Sequence, residues 1–462
     1  MSSSTTSSDG KLLGVLVLTR HGDRAGFYQD PTTYTATGTI ITPLGTQQEF
    51  QLGQLLRSMY LNSSSPLNIP GLNDTIVNQN QIDVRADAGG ELGVIYDSAV
   101  ALLQGLFPAT ANYTTDLANG TDIEGALGGY QYIPIQSVEP NLDVSLEGYT
   151  DCNTFTDATT AFYNSAEFKQ KANESAAFLA MLPPYLDGRP TTLENMYNIY
   201  DFMNVQSIHN AAFAKVLPPT FLAQAATLAS WHEYNVFTSP QLDGPGNIAG
   251  RTVLPNIING LRNIANQTNP ILFAYQSLAY KPFLSLFNMT GVAQTYPQLA
   301  NLVNYAAAVT MEVRQPSDGS EPVIRFSFKN GTDAEFVQYN LIGADGDVTI
   351  SALANHVNSA LVNTTAQWCT VCNNTQDRGC GALTEAANAA LASASASSSG
   401  HGHQRISPVG AGFLGAGLAV AVMLAMFGML AFLGCLVVGR GTGKRRKARA
   451  ASPDAAESEE KA

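Results

Sequence analysis

The residues best suited to chemistry lie close together in Arg20-His21-Gly22-Asp23-Arg24. Arginine guanidinium groups are planar forks that grip phosphate oxygens two at a time. A histidine between two such forks is placed to attack phosphorus as a nucleophile. Gly22 lacks a Cβ and leaves room for close backbone approach. The stretch in front of the motif, Leu12 to Leu18, is an apolar β-type run. A buried strand that stops at a charged cluster delivers those side chains to the carboxyl end of a sheet, where open α/β folds build their sites. The plain alternative is a strand end carrying a solvated Arg-His-Arg cluster.

The motif R-H-G-x-R resembles the signature of the histidine acid phosphatase branch of the phosphoglycerate mutase-like superfamily. The likeness continues through Thr42-Pro43-Leu44-Gly45-Thr46-Gln47-Gln48, then Leu52-Gly53 and Leu55-Leu56-Arg57. These are similar to the family's L-T-x-x-G-x-x-Q followed by L-G-x-x-L-R. The resemblance implies a three-layer α/β/α sandwich with a mainly parallel central sheet and a helical insertion. It implies two-step hydrolysis of a phosphomonoester, with His21 forming a phosphohistidine. Arg20 and Arg24 would neutralise the phosphoryl oxygens as charge builds. Neither metal nor cofactor is implied, because the arginines carry that charge.

Two family features are absent, so this resembles a divergent member. The strand ending Ile82-Asp83-Val84-Arg85 matches the start of an R-x-x-x-x-x-R pattern whose second arginine is the third phosphate ligand. Here the following residues are Ala86-Asp87-Ala88-Gly89-Gly90-Glu91, and no arginine returns until Arg189. Active relatives also carry a His-Asp pair, histidine on the phosphate and aspartate as proton donor. No histidine in this chain precedes an aspartate. After the strand Ile271–Tyr275, where the pair belongs, stand Gln276 and Ser277. The expected phosphate ligands are therefore Arg20, Arg24, Arg85 and Gln276. His232-Glu233 is the one histidine followed by a carboxylate; an ordinary helix-end pair is the leading reading, a relocated acid the other. Lys281, about one helical turn further on, reads as a salt-bridged or solvated lysine.

The 462 residues suffice for one large domain with an insertion. The net charge of −13 argues against nucleic-acid binding and fits a small phosphorylated substrate or phosphate held in a local cationic pocket. Ten Asn-x-Ser/Thr sequons, from Asn62 to Asn373, all precede the long apolar segment and point to a glycosylated lumenal or extracellular domain. Cys152, Cys369, Cys372 and Cys380 suit two disulfides better than a zinc site, which would need a second C-x-x-C. Sequence does not fix the pairing; Cys372 with Cys380 closing a local loop is the expectation tested below.

Residues 1–10 are Ser/Thr-rich and expected to be disordered. The phosphatase-like domain is expected over 11–385, with a helical cap within about 109–230. A helix is expected over 44–60, with Pro43 in its first turn. Cap helices are expected over 157–182, 191–212 and 218–232, and further helices over 253–266, 278–288 and 347–361. Val323–Phe328 and Ala334–Tyr339 alternate like a hairpin with Asn330-Gly331 at its turn. An Ala/Ser/Gly linker follows over 386–408. Residues 409–438 are uncharged and long enough to span a bilayer. The tail 439–462 is basic, then acidic, and its six early Lys/Arg residues place it in the cytosol. No secretory leader is visible at the given N-terminus, and a tail-anchored topology ranks second. The preferred function is a membrane-anchored phosphomonoester hydrolase, its activity impaired by the missing groups. Alternatives are a pseudophosphatase that binds phosphate or phosphoesters without turnover, and a cell-surface scaffold glycoprotein.

Overall fold

The computed structural model describes residues 10–89, 91–139 and 142–398. The chain divides into two compact units, Met1–Ala389 and Ala390–Ala462. The second is described only over 390–398, which are helical. The apolar segment 409–438 and the tail beyond it lie outside the described residues. Among those described, no helix is long and apolar enough to cross a membrane.

The first strand, β1 (Lys11–Arg20), is buried along almost its whole length. Its side chains alternate between two cores. Val15 and Val17 join one apolar cluster, Leu16 and Leu18 the other. A strand covered on both faces needs a helical layer on each side, and this accounts for the continuous apolar run. Beside β1 lie β2 (Ile82–Asp87), β5 (Gln136–Val138) and β6 (Phe273–Leu278). They run parallel to one another in the order β1-β6-β2-β5. Beyond β1 the sheet turns antiparallel through β7 (Ala308–Gln315), β8 (Val323–Lys329) and β10 (Val348–Thr349). The sheet is thus mixed, with its parallel half carrying the motif. The expected hairpin is present: β9 (Val337–Tyr339) pairs antiparallel with β8. A small exposed ribbon, β3 (Thr114–Asp116) and β4 (Asp122–Glu124), stands apart from this sheet.

On one face pack α1 (Pro43–Tyr60) and α2 (Val94–Leu106). Pro43 opens α1 as expected, and the Thr42 hydroxyl caps it by accepting from the Gly45 N–H. On the other face lies α9 (Ile248–Ala265), against β1, β6 and β7. A short turn of helix, α3 (Ala126–Gly129), precedes β5, and the cap follows it. Its helices are α4 (Asn153–Asn164), α5 (Ala166–Leu179), α6 (Met196–His209), α7 (Ala211–Val216) and α8 (Phe221–Val236). The single helix expected over 157–182 is two. Ser165 breaks it, its extended backbone and hydroxyl capping α5 at the Phe168 N–H. The helix expected over 278–288 starts later. Leu278 still pairs with Arg20 in the sheet, so α10 begins at Lys281 and runs to Met289. The short α11 (Val292–Thr295) and then α12 (Ile350–Val357) and α13 (Thr365–Val371) follow. Finally α14 (Cys380–Ser398) continues through the first residues of the segment read as a linker. Alanine, which dominates there, is the strongest helix former.

The disulfides correct the expected local loop. Cys372 joins Cys152 across 220 residues, and Cys380 pairs with Cys369. Cys369 and Cys372 stand one turn apart on and just beyond α13, so one helix end serves both bridges. Trp368, fully buried beside them, donates its indole N–H to the Gly148 carbonyl at 2.7 Å. The C-terminal part of the first unit is thereby fastened to the start of the cap.

One core residue is out of keeping with its surroundings. Glu49 on α1 is wholly buried, and neither carboxyl oxygen has a hydrogen bond to a described residue. Burial raises its pKa well above the usual carboxylate range. A folded-state pKa above the unfolded one means that Glu49 stabilises fully only below its unfolded value, and less as pH rises. Glu49→Gln should therefore match the parent near pH 4 and exceed it by a margin that widens toward pH 8, measured by urea unfolding. An unchanged difference across that range would refute the buried protonated carboxyl. Cys152→Ser is expected to cost about 2–5 kcal/mol in the same assay. A non-reducing peptide map should recover the 152–372 and 369–380 links; a 372–380 peptide would contradict this pairing.

Candidate active site

The carboxyl ends of β1, β2 and β6 meet at one edge of the sheet, and each passes a charged residue into the space above it. β1 supplies Arg20 and His21. The loop after β2 supplies Glu91. The segment after β6 supplies Lys281, the first residue of α10. His21 is clamped by its backbone: its N–H donates to the Leu278 carbonyl and its own carbonyl accepts from Ala306, both at 3.2 Å. The turn beyond it is tight. A Cβ on Gly22 would lie 2.5 Å from the Gly45 carbonyl oxygen, and one on Gly45 only 2.0 Å from that of Asp23. The two glycines let the first turn of α1 press directly against the motif.

The His21 ring is fixed as well. Its Nδ1 lies 2.8 Å from the Gly22 carbonyl oxygen, which can only accept, so this nitrogen carries the proton. Nε2 is left with its lone pair and has no hydrogen bond to a described residue. Burial lowers the His21 pKa to about 3 against the opposing pull of Glu91, with Arg20 and Arg24 pushing the same way as burial. At ordinary pH the ring is a neutral base.

Arg24 is fully buried. Asp201 of α6 takes its guanidinium in a fork, with Nη2–Oδ1 at 2.9 Å and Nη1–Oδ2 at 3.2 Å. Its charge also lies 3.8 Å from the centre of the Phe27 ring. Arg20 stacks on Tyr305 at 4.5 Å and donates to the Val303 carbonyl. Asp23, the variable residue of the motif, accepts from Thr42 and lies 2.7 Å from His209 Nε2. Tyr197, Asp201 and His209 recur at multiples of four residues along α6, so one face of this cap helix closes over the motif.

Glu91 sits among the cations. One carboxylate oxygen lies 3.6 Å from His21 Nε2 and 3.6 Å from Arg24 Nε; the other lies 3.7 Å from Lys281 Nζ. Burial alone would raise its pKa, but His21, when protonated, and then Lys281, Arg24 and Arg20 prevail and lower it to about 2. Since His21 is neutral above about pH 3, the cations that hold Glu91 ionised are Lys281, Arg24 and Arg20. Glu91 stands six residues after Arg85, where the resembling pattern has its second arginine, so the charge at that place is reversed. Close by, Asp87 and Glu147 are both buried carboxylates. Burial raises the pKa of both, that of Asp87 the more strongly. A cavity of ≈ 220 Å³ opens beside Arg20, lined also by Gln48, Tyr200, Asp201, Tyr305 and Asp333.

Of the residues expected at the site, the structure brings Arg20, His21 and Arg24 together. Arg85 is elsewhere: its Nη2 pairs with Asp143 and donates to Ser145. Gln276 lies within β6, opposite Leu18 and Arg85, and has no hydrogen bond to the motif residues. The strand runs two residues further, so the side chains at its mouth come from Leu278 onward. Glu233 is held by Tyr34, Tyr280 and His232 at 2.7–3.0 Å, a fully engaged carboxylate that fits the helix-end reading. Lys281 is the salt-bridged lysine of the two readings, buried beside Glu91. Asp201 was not foreseen. An aspartate spaced four residues from Tyr197 and eight from His209 in an apolar helix was the available signal.

Comparison with known proteins identifies the family and the fold. The sequence profile of the Histidine phosphatase superfamily (branch 2) matches residues 27–329. The chain is 23% identical to human lysosomal acid phosphatase over 333 residues, 69% of this chain and 71% of that protein. It is 22% identical to the Xenopus laevis lysosomal acid phosphatase over 262 residues, 55% of this chain and 56% of that protein. The fold is similar to the phytase of Citrobacter braakii, with a TM-score of 0.54, 14% identity, and coverage of 78% of this chain and 99% of that one. It is similar also to a Klebsiella phytase, with a TM-score of 0.55, 13% identity and the same coverage. The profile spans well over half of the sequence, and the chain belongs to the histidine phosphatase superfamily, branch 2.

Proposed function

We propose that this protein is a membrane-anchored phosphomonoester hydrolase acting through His21, its phosphatase-like domain lumenal or extracellular. The observation that carries this reading is the state of His21. The ring is neutral, its proton is pinned on the Gly22 carbonyl, and its free Nε2 faces a seat edged by Arg20, Arg24 and Lys281. In the first step the Nε2 lone pair forms a bond to phosphorus as the ester P–O bond breaks. The leaving oxygen keeps the bonding pair and takes up a proton from solvent. Water then attacks phosphorus, the N–P bond returns its electrons to His21, and inorganic phosphate departs. Arg20 and Arg24 stabilise the charge on the transferring group.

Without a His-Asp pair the leaving alkoxide lacks its family proton donor. Such a loss costs ~100- to 10,000-fold in rate. Esters with good leaving groups need little protonation and suffer least, so aryl phosphates are the preferred substrates in vitro. A second reading, a phosphate binder without turnover, is favoured by Glu91, whose carboxylate stands next to the nucleophile. The deciding experiment is aryl phosphate hydrolysis between about pH 4 and 7, with quenched samples probed for phosphohistidine. Slow turnover with a trapped phosphoenzyme, both lost in His21→Ala, is expected. A folded protein with neither leaves the binder.

The compartment is supported by the two disulfides and by the sequons. Nine of the ten asparagines are exposed. Asn288 is the exception; its side chain donates to the Ser239 carbonyl and to Asn247. The membrane anchor is proposed from the composition of residues 409–438. Expression through a secretory pathway should give glycans at the exposed sequons and none at Asn288, read by mass spectrometry after glycosidase treatment. An unmodified chain would remove this support for the lumenal placement.

A further inference from the structure

We propose that Glu91 is a tethered anion occupying the seat that a phosphate group would take, and that phosphate binds only as the loop after β2 withdraws it. The proposal rests on the reading that this site receives phosphate. It does not require turnover.

The Glu91 carboxylate is within 3.7 Å of a nucleophilic nitrogen and two cations, the surroundings a phosphoryl group would need. Yet it is a loose occupant. Charge-assisted hydrogen bonds close to about 2.7–2.9 Å, and Asp201 reaches 2.9 Å on the same Arg24 guanidinium. Glu91 stays at 3.6–3.7 Å. Its Oε2, His21 Nε2, Arg24 Nε and Arg20 Nε are all buried without a hydrogen bond to any described residue. Two guanidinium donors and two lone-pair acceptors, Oε2 and Nε2, thus share a small volume in imperfect contact, and the two acceptors face each other with no proton between them. A tetrahedral dianion presents more oxygens and more charge than a carboxylate, and it suits those directions better.

The loop is built for local movement. Leu92 is 74% exposed and adopts a left-handed backbone with φ of 55°, unusual for a leucine. Gly93 follows with φ of 86° and opens α2. Glu91 itself is held at its backbone by a long 3.4 Å bond from the Thr39 N–H to its carbonyl. A change confined to these residues moves the carboxylate without disturbing β2 or α2. The cavity beside Arg20 shares that arginine and Asp201 with the site and is lined by no residue of the loop.

The test is inorganic phosphate binding to the full chain, by calorimetry and by the phosphate-induced shift in melting temperature. Glu91→Gln keeps the side chain's shape and removes its charge. Glu91→Asp keeps the charge and withdraws it by one methylene. We expect Glu91→Gln to bind phosphate ~10- to 100-fold more tightly than the parent, with Glu91→Asp in between. Adding Arg20→Ala to Glu91→Gln should return affinity to the parent's level. If Glu91→Gln fails to fold, Glu91→Asp alone decides, because its gain must still exceed the parent's. Parent-like affinity in the folded variants, or a parent that already binds as tightly, overturns the proposal. A gain in phosphate affinity with no hydrolysis would keep the tethered anion and defeat the hydrolase. Hydrolysis by the parent with no gain in either variant would do the reverse.

Discussion

Arg24 has no exposed surface and is gripped by both oxygens of Asp201. Removing one partner of such a buried pair costs several kcal/mol, because the other charge is stranded away from water. The cap is therefore held to the sheet by more than apolar contact: α6 must lie where Asp201 meets the guanidinium. Tyr197 stacks on Tyr280, and Tyr280 in turn donates to Glu233 of α8. His209 reaches Asp23. A short motif at the end of one strand thus dictates the seating of two cap helices.

The same constraint governs the interior of the site. Three cations, Arg20, Arg24 and Lys281, are buried around a neutral histidine. Buried positive charge of this density calls for anions. The chain supplies two from widely separated stretches, Asp201 from the cap and Glu91 from the loop after β2. Arg85, whose burial would have demanded a third, is instead partly exposed and paired with Asp143. The arginines therefore need no bound phosphate to justify their burial, and the excess of positive charge at the seat is modest.

What was legible in the sequence was local. The apolar run of β1, the Pro43 start of α1 and the turn between β8 and β9 each depend on neighbours within a few residues. The break at Ser165 was missed because no glycine or proline interrupts residues 157–182 and only the serine's capping geometry separates the two helices. The end of β6 was misjudged because Leu278 reads equally well as strand or helix; pairing with Arg20 decides it. Asp201 meets Arg24 across 177 residues, and no pattern within a helix announces that partner. Glu91 was within view, but as the place where an arginine was missing. Its role follows only from its position beside His21. Cysteine spacing alone was equally consistent with the wrong partner for Cys372.

The bridge between Cys152 and Cys372 also has a meaning in time. Ribosomes add roughly 5–20 residues per second. The 220 residues between these cysteines therefore take on the order of 10–45 seconds to appear after the first has emerged. Throughout that interval Cys152 is a thiol without its partner, while the strands β6, β7 and β8 are still being delivered. When α13 arrives it presents Cys369 first and Cys372 three residues later, so correct closure depends on the cap and sheet having already placed Cys152 beside the second of the two. The covalent bond records the outcome of folding rather than guiding it.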